Sequence, residues 1–229
     1  MIRNPFILQE DGYFAVTKAG YIALIAVMVI LIAVAAVVIG RKQKTGKITA
    51  KKLAVAGITL ALGVATSYLE IIKLPWGGSV TLFSMFFICY IGYLYGVGVG
   101  FMAAFAYSLL QFVQGGGTYI LSPFQACCDY FLAFTALGIS SFWYKKKYTG
   151  MMVGYIVAIL VRGLFHTIGG YLYWMDYMPE EFPQQIAFLY PICYNYLYIL
   201  IEGAITVAVM WIPPVRKGLM QVQKIAWEE

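Results

Sequence analysis

Seven apolar blocks follow one another along the chain with only short polar breaks between them. The first, Tyr21 to Ile39, is an almost unbroken run of Ala, Val, Ile and Leu closed by Gly40-Arg41-Lys42-Gln43-Lys44. The others run from about Leu53 to Ile72, Val80 to Tyr95, Val97 to Val113, Pro123 to Tyr144, Met151 to Tyr173 and Ile186 to Ile212. A spanning helix takes about 20 apolar residues, so these blocks use most of the 229 residues and leave no length for a soluble domain. Composition closes the remaining exits. Charged residues make up 11%, against roughly a quarter in a soluble domain, and 17% aromatic content opposes the low-hydrophobicity signature of disorder. The fold class expected is an all-α integral membrane protein. One extra N-terminal transmembrane helix lies in an extension over residues 1–45, and a six-helix membrane domain occupies residues 46–229.

The first block does not read as a cleaved signal. Glu10 and Asp11 stand where a cationic n-region belongs, and no small-x-small cleavage site follows the run. With the spans alternating sides, Arg41, Lys42, Lys44, Lys47, Lys51 and Lys52 fall on the same side as Lys145 to Lys147 and as Arg216, Lys217 and Lys224. That is twelve of the sixteen basic residues, while Arg3, Lys18 and Lys73 remain on the other side. The positive-inside rule makes the basic side cytoplasmic. The N-terminus is then outside, the C-terminus inside, and the acidic loop with Asp176, Glu180 and Glu181 outside. The net charge of +6 therefore records topology and contact with anionic headgroups of the lipid bilayer, not a nucleic-acid surface.

Familiar soluble-enzyme motifs fail on inspection. Gly40 to Ile48 resembles a phosphate-binding loop, but its spacing is one residue too long and Ile48 stands where Ser or Thr would hold magnesium. Without a nucleotide site the chain is not an ATP-driven pump by itself. Cys89, Cys127, Cys128 and Cys193 show no C-x-x-C spacing, and one histidine is a poor start for a metal centre, so no metal or cofactor is expected. The Gly92, Gly96 and Gly100 series has small-xxx-small spacing, which suits close packing inside the bundle. Gly57 and Ala61 share that spacing on the block from Leu53, where internal packing and an external partner are equally compatible with it.

Charged side chains inside a bilayer are costly, about 2.5 to 3.5 kcal/mol each on insertion scales, and mark functional candidates. Asp129, Arg162, His166 and Glu202 are the ones deep in apolar blocks, with Glu70 near a block end. Arg162 and His166 are four apart and share a helix face, which Gly169, Gly170 and Trp174 continue outward. Tyr190 and Asn195 open the final span at the same end, and Asp129 lies a turn or two inside Ser122-Pro123. Such a cluster suits a binding pocket open to the outside: a carboxylate for a cation, aromatic faces for a ring, Asn and His for ring nitrogens. The same residues also suit a plainer arrangement, with Asp129 and Arg162 as a structural ion pair, His166 as a core residue, and Tyr173, Trp174 and Tyr177 as an interfacial aromatic belt.

Several stretches carry a more specific signal: GTYILSPFQACCDY over 117–130, Leu137-Gly138-Ile139, RGLFHTIGG over 162–170 with Trp174, YPICYN over 190–195, and PWGGSVTLFSM over 75–85. Together, from about Leu53 to Pro213, the chain resembles the thiamin-specific substrate-binding (S) component of energy-coupling factor (ECF) transporters. The resemblance implies a six-helix protein, not an enzyme, that captures thiamin with high affinity in the plasma membrane of a prokaryote. It also implies partners: a transmembrane coupling subunit and two cytoplasmic ATPases. By position, Asp129 stands where the family has a ligand-contacting glutamate, followed by Tyr130. His166, Trp174, Tyr190 and Asn195 match pocket residues in identity, with Trp174 and His166 expected to stack on ligand rings. Tyr119 and Gly170 match flanking positions, and Arg162 replaces a usual lysine. Gly57 and Ala61 fall on the helix face expected to touch the coupling subunit. Three departures stand out: the shorter carboxylate at Asp129, the Gly78 and Leu82 that fall in the second core helix where relatives carry Trp and Glu, with Trp76 as a nearby substitute, and the extra N-terminal helix. An S component for hydroxymethylpyrimidine or another vitamin precursor is the nearest alternative. An intramembrane enzyme built on His166, Asp129 and Arg162 is a more distant one, as it has no nucleophile or metal partner.

Overall fold

The computed structural model describes residues 7–10, 13–20, 49–75, 77–115 and 120–228, with a few isolated positions between 22 and 30. The apolar block at 21–39, and with it the extra N-terminal helix, lies largely outside the described residues. Ahead of it, β1 (Ile7–Glu10) and β2 (Tyr13–Val16) pair antiparallel.

Six apolar helices follow: α1 (Ala50–Ser67), α2 (Ser84–Tyr95), α3 (Val97–Gln114), α4 (Pro123–Trp143), α5 (Tyr148–Tyr177) and α6 (Gln184–Trp211). Five of them are long and apolar enough to cross a membrane, and α2 is shorter at 12 residues. Helices are the required solution here, because lipid offers no partner for a bare N–H or C=O. The chain is an all-α, multi-pass membrane protein.

Two details depart from the sequence expectation. The block from Leu53 stays helical only to Ser67, and residues 68–83 form a connecting segment whose β3 (Ile72–Lys73) and β4 (Ser79–Val80) pair as a short ribbon. Pro75 and the glycines at 77 and 78, both at positive φ, stop any helix there. Gly78 and Leu82 accordingly precede the second core helix instead of lying in it. The basic tail is also a helix, α7 (Pro213–Trp227), begun by two prolines that suit a helix's first turn. It folds back under the bundle: Trp227 Nε1 donates to the Leu94 carbonyl at 3.0 Å, Tyr90 Oη to Leu219 O at 2.7 Å, and Lys51 Nζ to Ile225 O at 3.1 Å.

The core sits around α2, where every residue except Phe87 is buried. Small residues let α3 and α4 close on it. A Cβ placed on Gly100 would stand 2.6 Å from the Gly92 Cα, so those two backbones touch, as the small-xxx-small series predicts. On α1 only Ala56, Thr59, Gly63 and Ser67 are buried; Gly57 and Ala61 face outward, and nothing lies within 4 Å of a Cβ built on Gly57. Because successive helices alternate in direction, Lys51, Lys52, Lys145 to Lys147, Arg216, Lys217 and Lys224 gather at one end of the bundle. The C-terminal ends of α1, α3 and α5 and the N-terminal ends of α4 and α6 gather at the other.

Candidate ligand pocket

A cavity of about 390 Å³ opens at the end away from Lys145 to Lys147 and Lys224. Ser122 caps α4, its Oγ accepting from Gln125 N at 2.9 Å, with Pro123 in the first turn. The Gln125 side chain is then pinned: its Oε1 accepts from Leu121 N at 3.0 Å, which turns Nε2 toward Asp129 Oδ2, 2.6 Å away. Asp129 itself lies in a π-helical stretch, Cys127–Leu132. Wide turns of this kind recur at functional sites, and a second one, Gly170–Trp174, carries Trp174.

Among the described residues, three donors from two helices converge on the Asp129 carboxylate. Besides Gln125, Trp174 Nε1 donates to Oδ2 at 3.1 Å, and His166 Nδ1 lies 3.3 Å from Oδ1. On its other side His166 Nε2 accepts from Arg162 Nε at 3.4 Å. Since Nε2 is an acceptor, the ring proton of a neutral imidazole belongs on Nδ1, facing Asp129. Asp129 and Arg162 are thus joined through His166 and do not form the direct ion pair that one reading of the sequence allowed. The Arg162 guanidinium lies over the Phe134 ring, 4.4 Å from its centroid, and is only 8% exposed.

From α6, Asn195 Nδ2 donates to Pro191 O at 2.8 Å and to His166 O at 3.3 Å, while its Oδ1 accepts from Tyr198 Oη. Tyr190 packs between Phe182 and Tyr194. Gly170 keeps this corner tight: a Cβ there would come within 2.8 Å of Pro191.

Asp129, Tyr130, Arg162, His166, Gly170, Trp174, Tyr190 and Asn195 all line this one cavity. Tyr119 and Trp76 lie outside the described residues. Glu202 is not on the wall. It lies beneath, 2% exposed, hydrogen-bonded to Thr81 and Ser84. Sequence reasoning missed a second set of lining residues: Gln111 and Gln114, which hydrogen-bond each other and Ser67, with Tyr107, Tyr194 and Tyr198. Their signal was present in the spacing, since Tyr107, Gln111 and Gln114 make a polar stripe at i, i+4 and i+7 in an apolar block. Among the described residues no group of three or more His, Cys, Asp or Glu side chains is placed to hold a metal ion.

Glu70 and Lys73 at the cavity's exposed edge pair at 3.6 Å. Inside, the Asp129 carboxylate and the Arg162 guanidinium stand on the wall with His166 between them, and a second carboxylate, Glu202, lies behind it. Tyr107, Tyr130, Phe134, Trp174, Tyr190 and Tyr198 give the cavity aromatic walls.

Comparison with known proteins gives this arrangement a relative. The thiamine transporter ThiT of Bacillus subtilis (strain 168) is 26% identical over 141 residues, covering 56% of this chain and 71% of that protein. Residues 53–221 match the family described as thiamine transporter protein, a span that takes in α1 from Leu53, the other five apolar helices and every described residue of the pocket. The chain belongs to the thiamine transporter protein family.

Proposed function

We propose that the protein is the membrane-embedded binding subunit for thiamin uptake and that the cavity around Asp129 is its thiamin site. The observation that carries this reading is the Asp129 carboxylate, held by Gln125, His166 and Trp174 on the wall of an aromatic-lined cavity. Thiamin is a monocation built from an aminopyrimidine and a thiazolium ring, and a buried carboxylate among aromatic side chains suits both features. Asp129 uses three of about four acceptor positions on protein donors, leaving one for the amine or the thiazolium. Trp174 and His166 provide ring faces, and Tyr190 and Asn195 provide polar edges. Tyr130 and Gly170 shape the wall. A single cation–π contact contributes about 0.5 to 2 kcal/mol, so tight capture needs many contacts in a closed, dry pocket.

The basic end of the bundle faces the cytoplasm by the positive-inside rule, so the pocket opens outward and the C-terminus lies inside. With the apolar block at 21–39 as a further span, the N-terminus lies outside. The chain then divides into an extension over 1–45 and a binding domain over 46–229, in the plasma membrane of a prokaryote. The outward face of α1, with Gly57 and Ala61, suits close contact with a transmembrane coupling subunit of an ECF module driven by two ATPases. The role is capture and delivery, not catalysis.

Mass spectrometry of the ligand retained through purification, followed by a competition panel, tests the reading. Thiamin should be found bound, and hydroxymethylpyrimidine, which lacks the thiazolium charge, should compete at least about tenfold less well. Equal competition by the neutral fragment would show that the charge is not read.

A further inference from the structure

Glu202 is a carboxylate buried seven residues along α6 from Asn195, and it lines no part of the cavity. Its two oxygens are fully engaged by one segment. Oε2 accepts from Thr81 N at 3.2 Å and from Thr81 Oγ1 at 2.6 Å; Oε1 accepts from Ser84 Oγ and Met85 N at 3.2 and 3.3 Å. The Thr81 and Ser84 hydroxyls touch each other at 2.6 Å, closing the cluster.

The local chain explains why a remote acceptor is needed. Phe83 occupies the N-cap position of α2 in a left-handed conformation, φ 62°, and has no side-chain oxygen to offer the open N–H groups of the first turn. Glu202 supplies that cap from a different helix. The segment it holds, residues 77–85, is also one wall of the cavity: Gly77, Gly78, Ser79, Thr81 and Ser84 line it. Two further contacts join this wall to α6. Tyr194 Oη donates to Gly77 O at 2.8 Å, and the Tyr198 ring lies under Gly78, where a Cβ would meet it at 2.7 Å.

We infer that Glu202 is a positioning residue that latches residues 77–85 onto α6, setting how long this wall of the pocket stays in place. One helix thereby touches both the ligand edge, through Tyr190 and Asn195, and this wall, through Tyr194, Tyr198 and Glu202. A carboxylate suits the role because both of its oxygens only accept. An amide at this position would turn an NH₂ toward two donors and forfeit one side of the latch.

The inference rests on the thiamin reading only for its kinetic consequence, so the test has two arms on the full-length protein in lipid nanodiscs. In the first, without ligand, amide hydrogen exchange is followed in Glu202→Gln. Exchange at Thr81 and Met85 should accelerate at least about tenfold while Ala158 and Ile159 in the α5 core keep wild-type rates. The milder Thr81→Val should accelerate Met85 less, and should add nothing when combined with Glu202→Gln. In the second arm, thiamin release from Glu202→Gln should be about tenfold faster with the association rate changed less than about threefold. Unchanged exchange at Thr81 and Met85, or equal acceleration throughout the bundle, would overturn the latch. Absence of thiamin binding by the unsubstituted protein would instead overturn the proposed function and leave the exchange arm to decide the latch.

Discussion

Asp129 rests against the bare backbone of Gly169: a methyl group built on that glycine would stand 2.7 Å from Oδ1. The contact brings α5 close enough to α4 for His166 and Trp174 to reach the carboxylate from the same helix. Gly169→Ala therefore has to push the carboxylate off its donors or separate the two helices. Thiamin affinity should fall at least about tenfold. Gly218→Ala, at a position with nothing within 4 Å, should bind as the parent does. Titration calorimetry on the two variants checks this.

Asp129→Asn keeps the shape and removes the charge. The carboxylate charge on the pocket wall would be lost, and the new NH₂ would face donors from Gln125, His166 or Trp174. Hydrogen bonds to charged groups are worth about 1.5 to 3 kcal/mol, so binding should weaken roughly 10- to 100-fold. The preference for thiamin over hydroxymethylpyrimidine should shrink along with it, as read by competition.

Trp174→Phe separates the two jobs of the indole. The ring face remains, while the Nε1 donor to Asp129 Oδ2 is lost. A loss of about threefold to tenfold in affinity is expected, with a larger loss for Trp174→Ala, which also removes the face. Equilibrium binding of labelled thiamin distinguishes the three proteins.

Much of this site was legible because charge inside a bilayer is rare. Asp129, Arg162 and His166 stood out against apolar blocks, and spacing alone put Arg162 and His166 on one face. What spacing cannot carry is which neighbours meet across helices. The sequence suggests Asp129 and Arg162 as an ion pair, yet an imidazole intervenes. Nothing in the spacing marks Gln125, four residues before Asp129, because its orientation is fixed by a bond from Leu121 N. Glu202 was undecided because its partners, Thr81 and Ser84, lie more than a hundred residues away in sequence. The six apolar helices were recovered from block length, but the end of α1 at Ser67 and the ribbon after it were not. The run Leu69-Glu70-Ile71-Ile72 is as compatible with a continuing helix as with an extended turn.

Gly57→Leu tests the outward face of α1. Nothing inside the protein opposes the larger side chain, so purified protein should bind thiamin unchanged. Uptake by whole cells should fall at least about tenfold if a coupling subunit packs closely on this face. Unimpaired uptake would place the partner elsewhere.

Titration calorimetry of the purified full-length protein with thiamin measures the central claim directly. The charge and aromatic walls of the Asp129 pocket predict saturable one-to-one binding with Kd below about 1 μM, abolished or severely weakened in Asp129→Ala. No binding tighter than micromolar, or binding indifferent to Asp129, would contradict it.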